Sequence, residues 1–143
     1  MTIEDRRRAA YHEAGHVVAA WALGLRVYAA AIGIDGDDAK GKAVIDHDRP
    51  LPLVDKIAVC AAGVEAQHVF GAPTSCRAGA MDEVEIAKLT EHLDEKARLA
   101  QRNEGYQRAH ELILAHQAEV ERVAESLLAR GSINEAEIRG LLQ

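Results

Sequence analysis

Ala9-Ala10-Tyr11-His12-Glu13-Ala14-Gly15-His16-Val17-Val18, residues 9 to 18, decide how this chain is read. The stretch carries H-E-x-x-H between apolar flanks. On a helix, positions i and i+4 lie about 40° apart around the axis, so both imidazoles leave the same face. Two neutral imidazoles with one carboxylate make an open tetrahedral zinc site whose fourth position is left for water. Zinc lowers the pKa of that water to about 7. Glu13, one residue along from His12, reaches the water without ligating the metal, which is the position of a general base. The competing reading is a chance pattern on a surface helix. The apolar flanks speak against it, because they would bury two histidines and a glutamate to no purpose. Gly15 costs a helix about 1 kcal/mol against alanine, which points to close packing opposite the motif.

Working outward, Thr2 and Asp5 resemble a capping box, and a helix runs from there to about Leu23 with Gly24 as its stop. Residues 26 to 34, RVYAAAIGI, and 42 to 46, KAVID, flank the turn-rich DGDDAKG and read as a β-hairpin or two strands of a small sheet. Pro50 and Pro52 mark a break. Residues 53 to 70 read as a second helix stopped by Gly71, and residues 71 to 81 as a loop. Residues 82 to 102 read as a third helix, interrupted by Asn103 and Gly105. A fourth runs from about Tyr106 to Ala129 with the periodic stripe Ala109, Leu112, Ile113, His116, Val120, Val123, Ala124, Leu127. Gly131 ends it. Ser132-Ile133-Asn134-Glu135 reads as a capping box for a short last helix carrying Ile138, Leu141 and Leu142. The fold class expected is mostly α (α+β), one domain over residues 1 to 143, without repeats or linkers.

Composition narrows the function classes. Hydrophobic residues make up 48% of the 143 but aromatics only 3%, which suits helices packed through small side chains rather than a β-sandwich. The net charge of −6 excludes a broad nucleic-acid surface; the one basic run, Arg6-Arg7-Arg8, reads as a solvated helix face. Two cysteines without a CxxC do not make a disulfide framework, so a reducing compartment is expected. The N-terminal residues do not read as a signal peptide, and no apolar run approaches the roughly 18 residues of a membrane span. A cytoplasmic protein is expected.

Among other candidate residues, His116 reads as a core or interface histidine, and His92 and His110 as surface residues. His47 and His68 match no ligand spacing. Cys60 reads as a small core residue, and Cys76 as a loop thiol near the later ligand segment. Asp35 to Asp38 reads as a solvated turn, without the longer acidic pattern of a calcium loop.

RRRAAYHEAGHVVAAWAL, residues 6 to 23, resembles the opening of the peptidase domain of FtsH-type AAA+ zinc proteases. Ala61-Ala62-Gly63-Val64-Glu65-Ala66-Gln67 followed by Phe70-Gly71 resembles that family's G-G-R-A-A-E-E and F-G. Gly79-Ala80 and residues 82 to 87 resemble T-G-A-x-N-D-L-E-x-A, and residues 109 to 142 resemble its closing helices with their E-I-x-x-L-L. The resemblance implies a helical zincin-like fold with a small sheet, zinc bound by His12 and His16, Glu13 as base, and a carboxylate ligand from a later helix. Read without a gap, that ligand falls on Glu83, with Asp82 as N-cap and Glu85 at N3. A loop one residue shorter puts it on Asp82, which shares a helix face with Ile86 and Leu89. The ungapped reading favours Glu83.

The chain departs from the family in showing no Walker A motif and in carrying A-A-G for G-G-R. Two functions follow as expectations. One is an ATP-independent zinc metallopeptidase acting on small or unfolded polypeptides, its substrate added to the sheet edge. The other is a binding or regulatory module that works with a partner such as an ATPase in trans. Either is compatible with a homo-oligomer. Retention of Glu13, which folding does not require, favours the enzyme.

Overall fold

The computed structural model describes residues 3 to 72 and 79 to 143. Six helices and three strands follow in the order α1 (Ile3–Ala22), β1 (Val27–Ile32), β2 (Gly41–Ile45), α2 (Leu53–Val69), α3 (Ala80–Thr90), α4 (Glu95–Ala115), α5 (Gln117–Arg130), β3 (Ser132–Asn134) and α6 (Glu135–Leu142). This is the mostly helical α+β class expected. The proposed capping role of Thr2 and the loop thiol Cys76 lie outside the described residues.

Small side chains draw α1 and α2 together. Ala10, Ala14, Ala58, Ala62 and Ala66 are wholly buried, and a Cβ on Gly15 would overlap the carbonyl oxygen of Ala62. The glycine thus supplies the close approach its helical cost implied. α1 ends where expected: Gly24 takes a left-handed φ of 82°, and Leu25 N–H reaches back to the Ala20 carbonyl at 2.9 Å, closing the last turn. Gly71 does the same after α2, with a φ of 64°.

The sheet is antiparallel throughout, in the order β2-β1-β3. β1 and β2 form the expected hairpin, with Ala30 opposite Ala43. β3, where the sequence suggested only a helix cap, adds itself to the other side of β1 with Ile133 opposite Ala30. The cap lies two residues later than read: Asn134 accepts from Glu137 N–H at 2.9 Å while the Glu137 side chain accepts from Asn134 N–H at 3.1 Å. Ser132 and Ile133 are committed to the ladder, so the chain is free to start the helix only at Asn134.

The helix boundaries between residues 82 and 129 also differ. The break falls at Asp94, whose carboxylate caps α4 by accepting from Ala97 N–H at 2.8 Å, and again at His116. Asn103 and Gly105 lie inside α4. Gly105 is a packing glycine rather than a stop, since a Cβ there would enter the Ile57 side chain of α2. α2 is therefore gripped by α1 on one side and α4 on the other. The Arg6–Arg8 run is half-buried rather than a free face. Arg6 reaches the Leu128 carbonyl and Asp38, Arg7 reaches the Phe70 and Gly71 carbonyls, and Arg8 pairs with Asp5. No helix among the described residues is long and apolar enough to cross a membrane.

Candidate metal centre

α1 carries His12, Glu13 and His16 into the interior, where they are 8%, 5% and 8% exposed. Burial of this much polarity is costly unless each group is partnered, and the partners are specific. His12 Nδ1 lies 2.7 Å from Gln67 Oε1 and His16 Nδ1 lies 2.8 Å from the Val59 carbonyl, both on α2. The Val59 carbonyl can only accept, and the Gln67 oxygen likewise, so each Nδ1 carries the hydrogen. When the rings are neutral, as metal ligation requires, both Nε2 lone pairs point inward, and the two atoms lie 3.0 Å apart.

Asp82, in the first turn of α3, completes the cluster. Its Oδ2 lies 3.0 Å from His12 Nε2 and 3.3 Å from His16 Nε2. Burial pushes the Asp82 carboxyl up, but the hydrogen bonds and charges of the two histidines outweigh it and hold the group well below the usual carboxylate range. For His16, burial pushes down and is overcome by Asp82 and by the Glu13 charge, so the ring is pushed up to about 9. The carboxylate of Glu13 is held above its ordinary value chiefly by burial, with the histidine charges opposing. Its Oε2 is buried with no hydrogen-bond partner among the described residues.

The donor set fits a divalent transition metal. Two Nε2 lone pairs and a carboxylate oxygen converge from two helices, and these three ligand atoms lie within 4.8 Å of one another. Tetrahedral zinc with bonds of about 2.0–2.1 Å sets its donors about 3.3 Å apart, close to the three separations here. Gly63 of α2 keeps the space: a Cβ would sit 2.7 Å from each Nε2. The hydrogen bonds on the far side of each ring are the usual means of fixing the tautomer of metal-ligating histidines.

Of the residues singled out from sequence, His12, His16 and Asp82 come together, and Glu83 does not. Glu83 faces away, bound by Arg102 at 2.8 Å and by the Tyr106 hydroxyl, both on α4. The reason is the helix start. α3 begins at Ala80 after Gly79, and Glu83 N–H bonds the Gly79 carbonyl at 2.9 Å. Asp82 therefore lies inside the first turn instead of capping it, with its side chain toward α1, and Glu83 turns about 100° away toward α4. Gln67, Gly63 and the Val59 carbonyl were missed. For Gln67 a signal existed: it is a lone polar residue, fully buried, on the apolar face of α2.

The cluster opens on a cleft of about 740 Å³, also lined by β2, the start of α2 and α3. Gly41 of β2 abuts Glu13, with a built Cβ 2.7 Å from Glu13 Cγ. Cys60 lines this cleft rather than the core; burial, with Asp82 and Glu85 nearby, pushes its thiol up to about 12. His116 is half-buried and packs edge-on against Trp21 at 5.5 Å. His110 keeps 45% of its side chain exposed, as expected of a surface residue, and lies 3.2 Å from Glu65.

The fold and cluster define a helical protein with a buried two-histidine, one-carboxylate centre open to a cleft. No protein-family model matches the chain, and no curated protein matches it.

Proposed function

We propose that the chain is a zinc-dependent peptidase of the H-E-x-x-H type, cutting small or unfolded polypeptides, with His12, His16 and Asp82 as ligands and Glu13 as general base. One observation carries this reading. A buried carboxylate with an unpartnered oxygen stands beside a convergent His-His-Asp set at the floor of an open cleft. A purely structural metal site has no use for Glu13, and a structural core would not leave its oxygen without a donor.

When bound, zinc supplies Lewis acidity and lowers the pKa of a water to about 7. Glu13 takes the proton of the attacking water and returns it to the amine nitrogen as the peptide C–N bond breaks. Its raised pKa suits both halves of that task. Gln67 and the Val59 carbonyl hold the two imidazoles in the tautomer that ligation requires. β2 is an edge strand of the sheet, so an extended substrate can pair along it. Because Gly41 abuts Glu13, that pairing would bring the scissile carbonyl beside the base. An ATPase acting in trans would supply the unfolding of folded substrates.

The test is Glu13→Gln. It should retain zinc and fold while peptide cleavage falls by about 10²–10⁴-fold or more. Unchanged cleavage by the variant would remove Glu13 from the mechanism.

A further inference from the structure

Away from the histidine cluster the cleft carries more cations than anions, with Arg8, Lys40, Lys42, Arg49 and Lys56 against Asp5, Asp37 and Glu85, in a protein of net charge −6. The chain has only five lysines, yet three of them, Lys40, Lys42 and Lys56, line the cleft together with Arg49. Lys42 and Lys56 form no ion pair among the described residues, and Arg49 is held by the Gly24 carbonyl, which leaves its charge uncompensated. Lys40 reaches Asp35 at 2.9 Å, on an exposed loop. Of the cleft's own carboxylates, Asp82 and Glu13 are engaged at the centre and Asp5 on Arg8, while Asp37 accepts from the Ala39 N–H. Glu85, on the α3 wall, and Asp37, which keeps its charge near Lys40, remain as counter-charges.

Their placement matters more than their number. Lys42 follows Gly41, the residue of β2 that abuts Glu13. It lies about 3.3 Å further along that strand, with its side chain on the opposite face of the pleat from the one Gly41 turns to Glu13. A residue opposite Lys42 on a paired strand would bring its Cβ to about 4.5–5.5 Å. Beside these cations the cleft is apolar, with Leu25, Ile45, Leu51 and Val59.

We infer that the preferred substrate is an acidic polypeptide segment, with Asp or Glu side chains within a few residues of the scissile bond and an apolar side chain between them. This rests on the peptidase reading of the same cleft. An excess of cations along the cleft raises the local concentration of anionic chains and penalises basic ones, and exposed cations act this way only while salt is low.

The experiment uses three labelled peptides of equal length around one apolar residue, flanked by Glu, Ala or Lys. Binding to zinc-loaded Glu13→Gln protein is read by fluorescence anisotropy, and cleavage by the wild type is read in parallel, at about 50 and 500 mM salt. The Glu peptide should bind and turn over about tenfold better than the Lys peptide at low salt, with the ratio collapsing at high salt. Lys42→Glu with Lys56→Glu should reverse the order of the Glu and Lys peptides. Equal binding of the Glu and Lys peptides, or an unchanged order in the double variant, overturns the inference. Acid-selective binding with no cleavage of any peptide upholds it and overturns the peptidase reading instead.

Discussion

At the scale of single residues, the centre depends on groups that ligate nothing. Gly63 is the clearest, because a methyl there would stand 2.7 Å from the Nε2 atoms of both His12 and His16. Imidazoles held from behind by Gln67 and the Val59 carbonyl cannot retreat without losing those bonds. Gly63→Ala should therefore lower zinc affinity by at least tenfold and destabilise the fold by about 1–3 kcal/mol, the usual cost of overpacking. Isothermal titration with zinc and a denaturant melt measure the two effects, and wild-type affinity in the variant would show that the rings have room to move. Gln67→Leu should weaken zinc binding by about 10–100-fold, the usual range for a lost partner behind a ligand, and Gln67→Glu should restore most of it. These residues also mark the limit of reading from sequence. His12, Glu13 and His16 were legible because helical geometry alone brings them together. A backbone carbonyl has no sequence signature, and the cause of Gly63 is visible only once two helices cross.

At the scale of elements, the phase of α3 decides which carboxylate joins the histidines. The ungapped reading places the ligand on Glu83 because the motif matches at several positions, which makes Asp82 the cap. The helix instead opens at Ala80, and the pair Glu83–Arg102, joined by Tyr106, locks that phase by tying α3 to α4. The helical period carried the right phase, since Asp82 shares a face with the buried Ile86, but local motif matching outweighed it. The same weakness hid the break at Asp94 and invented one at Gly105, where buried packing outweighed local helix propensity. β3, three residues long, was invisible because its pairing with β1 spans about a hundred residues of chain. α1, α2 and the hairpin were legible, since each combines a clear apolar pattern with a glycine or proline stop. Burial nudges the Glu83 carboxyl up, and Arg102 and Tyr106 outweigh it, leaving it below its ordinary value. A carboxyl lowered on folding stabilises above its unfolded pKa and loses that contribution as pH falls through the folded one. Glu83→Gln should cost up to about 1 kcal/mol near pH 7, as exposed pairs do, and the gap to wild type should narrow as pH falls below the ordinary glutamate value of 4.5. A gap that persists at pH 3 would mean the loss is packing rather than charge.

At the scale of the whole molecule, the account rests on three distant segments meeting: α1 at the start of the chain, α2 behind it, and α3 arriving across the cleft. The helical class followed from composition, whereas the convergence had to come from the structure. The centre should also couple to stability, because zinc that binds only the folded chain raises the melting temperature by mass action. Adding zinc to chelator-stripped protein should therefore raise Tm, and Asp82→Ala should abolish the rise. The most direct measurement is zinc stoichiometry by elemental analysis of the purified wild type, His16→Ala, Asp82→Ala and Glu83→Gln, each checked for helical content by circular dichroism. The account predicts about one zinc per chain in the wild type and in Glu83→Gln, and loss of most of it in His16→Ala and Asp82→Ala with the fold kept. Full zinc in Asp82→Ala, or its loss in Glu83→Gln alone, would contradict the centre described here.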